Sequence, residues 1–191
     1  MTSHLATTAI GWIWATIAII WLIGYATAKS NARTVPLAFR VFNLALAFFG
    51  YAMLGTHWFA RGWLSLRFAP DSAGLRMAGV AITLAGALFA IWARLTIGNN
   101  WSGRPSVKAG HTLVVNGPYA LARHPIYTGL LTAVAGTGLC VGQWHAILGF
   151  FLIIAALAAK IGQEERFMLQ TFPDSYPGYR RRVKALIPGV L

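Results

Sequence analysis

The chain is poor in acids, in cysteine and in charge of either sign. Four of its 191 residues are acidic, namely Asp71, Glu164, Glu165 and Asp174. The single cysteine, Cys140, lies in an apolar run, so neither a disulfide framework nor a thiolate metal cluster can be built. Charged residues make up 10% of the sequence, against roughly 25% in a typical soluble domain, which leaves too little to clothe a water-facing surface. No Gly-x-Gly-x-x-Gly follows a strand pattern, and this excludes a Rossmann dinucleotide site. The five histidines, His4, His57, His111, His124 and His145, show no close ligand spacing, so no metal is expected.

What is present is hydrocarbon-compatible sequence, 57% of it hydrophobic. A helix needs about 20 apolar residues to cross the hydrocarbon core. Uncharged or apolar runs cover Met1 to Ala28, Val41 to Ala60 and Met77 to Ala93, and Pro125 to Ala159 contains no Lys, Arg, Asp or Glu. As one helix that last run would extend about 50 Å. It is too long for one span, and Gly136, Gly138, Gly142 and Gln143 mark a break near Gly142 and Gln143. The expected fold is therefore all-α, a polytopic membrane bundle of about five helices at 8–28, 41–60, 77–97, 125–142 and 144–162, forming one integral membrane domain over 1–191. A cleaved signal peptide ending at Ala26-Thr27-Ala28 is disfavoured, because no Lys or Arg precedes Lys29.

With five spans, the loops after helices one and three and the C-terminal tail share one side. That side collects thirteen of the 16 Lys and Arg residues, leaving Arg61, Arg67 and Arg76 opposite. The positive-inside rule makes it cytoplasmic, with the N-terminus outside. The formal charge of +12 does not point to nucleic acid, since the basic residues flank apolar spans, where they meet anionic lipid headgroups.

Two polar segments fall on this side, 98–124 and 163–191, and a cofactor pocket is expected between them. Glu164 and Glu165 end helix five. Carboxylates near hydrocarbon are functional by default, although a surface salt bridge to Lys160 or Arg166 is an equal alternative. Adjacent helical residues point about 100° apart, so at most one of the two should face the pocket squarely. In Gly117-Pro118-Tyr119-Ala120-Leu121-Ala122-Arg123-His124-Pro125-Ile126-Tyr127-Thr128-Gly129, Pro125 biases His124 away from helical geometry and suits the first turn of a helix. Arg123 and His124 then stand at a helix N-terminus, which favours anions. Headgroup snorkelling by Arg123 is the plainer reading.

Arg123-His124-Pro125-Ile126-Tyr127-Thr128-Gly129, followed after two apolar helices by Glu164-Glu165, resembles the isoprenylcysteine carboxyl methyltransferase family and its prokaryotic relatives. Arg94, Gly98, Trp101-Ser102 and Lys108 to Val114 upstream, and Phe172, Tyr176, Tyr179, Arg182-Val183 and Ile187-Pro188 downstream, extend the likeness over about half the chain. The resemblance implies an S-adenosylmethionine-dependent methyltransferase whose lipophilic, prenylated or small-molecule substrate enters from the bilayer. It assigns Lys108, His111, Tyr119, His124, Tyr127 and Glu165 to the cofactor pocket. Arg123 and Arg182 become carboxylate clamps, and together with Glu165 they are the catalytic candidates. The first expected acceptor is a carboxyl group; alternatives are a phospholipid amine or a small thiol. A nicotinamide-dependent membrane reductase of the sterol reductase type and a non-enzymatic membrane accessory protein are the competing classes. The oligomeric state is open.

Overall fold

The computed structural model describes residues 1–26, 31–98, 101, 106–108 and 113–189. Its helices are α1 (Ser3–Ala26), α2 (Leu37–Gly55), α3 (Ala73–Ile97), α4 (Pro125–Val141), α5 (Trp144–Thr171) and the short α6 (Tyr176–Arg182). Four of them, α1, α2, α3 and α5, are long and apolar enough to cross a membrane. The fifth, α4, has 17 residues and reaches about 26 Å, just short of the hydrocarbon thickness. The chain is an integral membrane helix bundle.

Helix boundaries depart from the sequence expectation where polar residues prolong a helix. The first helix begins at Ser3 rather than residue 8. Helix α2 starts at Leu37 and takes Arg40 into its first turn, then stops at Gly55, because Thr56 is extended and His57–Phe59 and Gly62–Ser65 form 3-10 turns. Helix α3 gains a turn because the Ser72 hydroxyl accepts a hydrogen bond from the Leu75 amide at 3.2 Å, an N-cap. Helix α5 runs on to Thr171, well past the expected residue 162, and carries Glu164 and Glu165 on its last turns. The break between α4 and α5 falls at Gly142, whose left-handed φ of 66° closes α4 before Trp144 opens α5.

Helices α3 and α4 pack most closely. A Cβ at Gly129 would stand 2.5 Å from the Ala90 amide and 2.6 Å from the Gly86 carbonyl, and one at Gly136 would stand 2.5 Å from the Thr83 amide. Only hydrogen atoms fit between the backbones there, as expected where small residues carry helix contacts in lipid. At Gly138, by contrast, an added Cβ would meet only side chains at 3.9 Å and beyond.

One feature lies outside the all-helical expectation: β1 (Asn31–Thr34) pairs antiparallel with β2 (Ser106–Lys108), with Asn31 opposite Lys108. The pairing ties the segment after α1 to the segment before α4 at one end of the bundle. The same end holds the start of α4 and the finish of α5.

Candidate active site

Pro125 opens α4 at its first position, so His124 sits outside the helix with φ −122° and ψ 59°. Instead of leaving the neighbouring amides open to an anion, the tail covers them. The Arg123 amide donates to the Lys184 carbonyl at 2.8 Å, and the His124 amide to the Ala185 carbonyl at 2.9 Å. The Thr128 hydroxyl donates to the Leu186 carbonyl at 2.7 Å. Tyr179 on α6 donates its hydroxyl to the Tyr119 carbonyl at 2.6 Å. Residues 119–128 and the tail are thereby one assembly.

The finish of α5 enters that assembly through both acids. Arg123 donates from Nε at 2.8 Å and from Nη2 at 2.5 Å to Glu165 Oε1, and the other carboxylate oxygen pairs with Arg180 Nε at 3.1 Å. Arg123 Nη1 donates to the carbonyls of Val183 at 2.5 Å and Arg180 at 3.2 Å. Protein acceptors thus occupy four of the five guanidinium N–H groups. Glu164 accepts from the Tyr127 hydroxyl at 2.6 Å. His124 stands between the two acids, with Nδ1 3.6 Å from Glu164 and Nε2 3.3 Å from Glu165. Its ring stacks on Tyr127, centroids 5.7 Å apart and planes 9° from parallel. Lys160 Nζ lies 5.2 Å from the other ring centre of that stack, Tyr127.

Burial alone would lower the His124 pKa, but hydrogen bonds and charge from Glu164 and Glu165 outweigh it and hold the imidazole above its ordinary value. The expectation that one acid of the pair should face the site is too narrow. Both engage, because His124 and Tyr127 present partners on two sides of the helix end. Beside them lies an apolar cluster of Ala93, Trp101, Tyr119, Ile126 and Tyr127, joined by Trp21, Ile97 and Leu186. Arg94 is buried next to it, at 7% exposure, with its guanidinium carbon 4.3 Å from the centre of a Trp101 ring.

The structure therefore gathers Tyr119, Arg123, His124, Tyr127 and Glu165 from the sequence-predicted set. Lys108 is positioned through β2, while His111 lies outside the described residues. Arg182 is exposed on α6 and makes no ion pair with either glutamate. Arg180, two residues earlier, is the α6 arginine that pairs with Glu165. Sequence reasoning missed Arg180 and the part played by Glu164; the signal for Arg180 was its place directly after Tyr176 and Tyr179, whose buried rings fix which face of α6 turns inward. Among the described residues no group of three or more His, Cys, Asp and Glu side chains gathers as a metal site would require. A cavity of about 540 Å³ at the opposite end of the bundle, lined by Trp14, Tyr51, Arg67, Arg76 and Gln143 among others, contains none of the predicted site residues.

The stretch that contributes Arg94, Tyr119, Arg123, His124, Tyr127 and both glutamates is the stretch that known proteins share. Residues 79–170 match the model of the isoprenylcysteine carboxyl methyltransferase family. This region belongs to that family. A protein-S-isoprenylcysteine O-methyltransferase of Schizosaccharomyces pombe is 37% identical over 79 residues, 41% of this chain and 34% of that protein. The cobalt-zinc-cadmium resistance protein CzcN of Cupriavidus metallidurans is 32% identical over 149 residues, 77% of this chain and 59% of its own length. The Dictyostelium discoideum protein-S-isoprenylcysteine O-methyltransferase is 27% identical over 177 residues, 90% of this chain and 71% of that one. The chain thus spans between about a third and seven-tenths of these isoprenylcysteine carboxyl methyltransferase relatives and CzcN.

Proposed function

We propose that this chain is a methyltransferase that moves a methyl group from S-adenosylmethionine to a lipophilic acceptor at the cytoplasmic membrane face, the acceptor group being a carboxyl. The observation that carries the reading is the closure of Arg123, His124 and Tyr127 onto Glu164 and Glu165 at a single bundle end, inside the region that matches the family. Thirteen of the 16 basic residues fall on that end's side, which favours an inward-facing site, an outward N-terminus and a prokaryotic inner membrane. The whole chain acts as one membrane domain, with 98–124 and 163–191 as its cytoplasmic elements.

The lining suits the cofactor. Trp101, Tyr119 and Tyr127 offer aromatic faces for an adenine, and the buried Arg94 offers charge to a carboxylate. Tyr119, His124, Tyr127 and Glu165 are assigned to the binding wall, and Lys108 and His111 join them on the family resemblance alone. Bound there, S-adenosylmethionine would supply a sulfonium methyl group for ester formation at a carboxylate oxygen, with S-adenosylhomocysteine as the leaving product. A carboxyl with a pKa near 4 is already ionised at neutral pH, so the protein's residues need to align and exclude water rather than remove a proton. Arg123 does this indirectly: it is committed to Glu165 and two carbonyls, and so fixes the acid and the tail that close the wall. Arg182, exposed beside the closure, is left to meet the acceptor or a headgroup at the rim.

Calorimetry of the detergent-purified protein with S-adenosylhomocysteine, followed by transfer of labelled methyl into a lipid extract, tests the proposal. Saturable binding and label in an alkali-labile ester support it. Label in an alkali-stable product moves the acceptor to an amine or thiol. Binding of NADPH in place of S-adenosylhomocysteine establishes the reductase reading, and binding of neither leaves an accessory membrane protein.

A further inference from the structure

Arg94 is a buried cation with no counter-ion among the described residues. None of the four acids in the chain pairs with it: Asp71 bonds to Arg76 at the far end, Glu164 and Glu165 are held by Tyr127, His124, Arg123 and Arg180, and Asp174 is exposed. Its side chain reaches from α3 toward α1, where the guanidinium packs so tightly on Gly24 that a Cβ there would overlap it. Nη1 donates to the Gly98 carbonyl at 3.0 Å, and the buried Nε has no hydrogen-bond partner among the described residues. A guanidinium taken out of water with a donor unmet is expensive unless an anion completes it.

Position adds the second half of the argument. Trp101, over which the guanidinium lies, belongs to the same apolar cluster as Tyr119 and Tyr127, and Tyr127 is the residue that bonds Glu164. Arg94 and the glutamate cluster therefore flank one aromatic wall, the cation on the α1 side and the acids on the α5 side. The acids repel a carboxylate and Arg94 attracts one, so a ligand carrying that group is oriented along the wall. Of the two sequence-predicted clamps, Arg123 already has four of its five N–H groups bonded within the protein, and Arg182 is exposed on α6.

We infer that Arg94 is the carboxylate-binding residue of the site, receiving either the acceptor's carboxylate or the methionyl carboxylate of the cofactor. The inference rests on the methyltransferase reading above. The test compares wild type with Arg94→Met, which keeps the packing on Trp101 and Gly24 without the charge, and with Arg94→Lys, which keeps the charge without the planar fork. Binding is read by calorimetry with S-adenosylhomocysteine and by ligand-induced thermal shift with an N-acetylated S-prenylcysteine and its C-terminal carboxamide. The expected result is a loss of about 10- to 100-fold in affinity for one carboxylate ligand in Arg94→Met, with partial recovery in Arg94→Lys and little change in the unfolding midpoint of the ligand-free protein. A loss confined to the prenylcysteine acid, absent with the carboxamide, assigns the acceptor. A loss confined to S-adenosylhomocysteine assigns the cofactor. Affinities within twofold of wild type for both, or a lowered ligand-free midpoint with no ligand-specific loss, overturn the inference. Wild-type protein that binds no S-adenosylhomocysteine instead removes the methyltransferase reading.

Discussion

The Tyr179 hydroxyl donates to the Tyr119 carbonyl at 2.6 Å, across 60 residues of sequence that include two whole helices. Both rings are buried, so this bond fixes α6 to the segment before α4 without competition from water. Tyr179→Phe should cost about 1 kcal/mol or somewhat more, since it leaves a buried carbonyl unmet. Limited trypsin digestion at Arg180, Arg181 and Arg182 should accelerate while the membrane helices stay intact. Unchanged digestion would mean that the tail is held by its main-chain bonds alone.

Glu165 and Glu164 should respond differently to the same change. Glu165→Gln leaves the Arg123 side chain, 9% exposed, without its carboxylate. Removing one partner of a buried pair costs about 3–5 kcal/mol, so the detergent unfolding midpoint should fall and methyl transfer should disappear. Glu164→Gln keeps an acceptor for Tyr127 and should lower stability far less. Thermal unfolding of the two variants side by side checks the ranking, which equal midpoints would contradict.

His124 links the site to pH. Its folded pKa lies above the unfolded imidazole value because the two glutamates outweigh burial. The stability it contributes is therefore complete below about pH 6.5 and is lost as pH rises through the higher folded value. Thermal midpoints should decline across that alkaline-going window, and His124→Asn should flatten the decline. A wild-type midpoint that rises over the same interval would show that His124 is held neutral.

Gly129→Ala should be among the most damaging single changes to the bundle, because the new methyl would stand 2.5 Å from the Ala90 amide. Overpacking of this kind costs about 1–3 kcal/mol. The unfolding midpoint should drop, whereas Gly11→Ala, where nothing lies within 4 Å, should leave it unchanged or raised.

Much of this was legible in residue order. Apolar runs located the helices, and Gly142 located the α4–α5 turn, since few residues other than glycine adopt a left-handed cap easily. Pro125 located the start of α4 and so placed Arg123 and His124. What the order of residues hid was depth and facing. Hydropathy ends a span at Lys160, but a helix continues for as long as its backbone bonds are met, and the two extra turns of α5 are what carry Glu164 and Glu165 to the tail. Seven-residue glycine spacings at Gly79 and Gly86 on α3, and at Gly129 and Gly136 on α4, become meaningful only once the two helices are known to touch. Arg180 and Arg182 are indistinguishable by type and both are exposed; the short α6 brings only the first of them to the Glu165 carboxylate.

The tail's carbonyls at Lys184, Ala185 and Leu186 complete the start of α4. All five long helices precede those carbonyls in the chain, so the residues that fasten Arg123, His124 and Thr128 are made only after every helix they brace. A polypeptide without residues 184–186 would keep its apolar spans and lose the bonds that hold the entrance to α4.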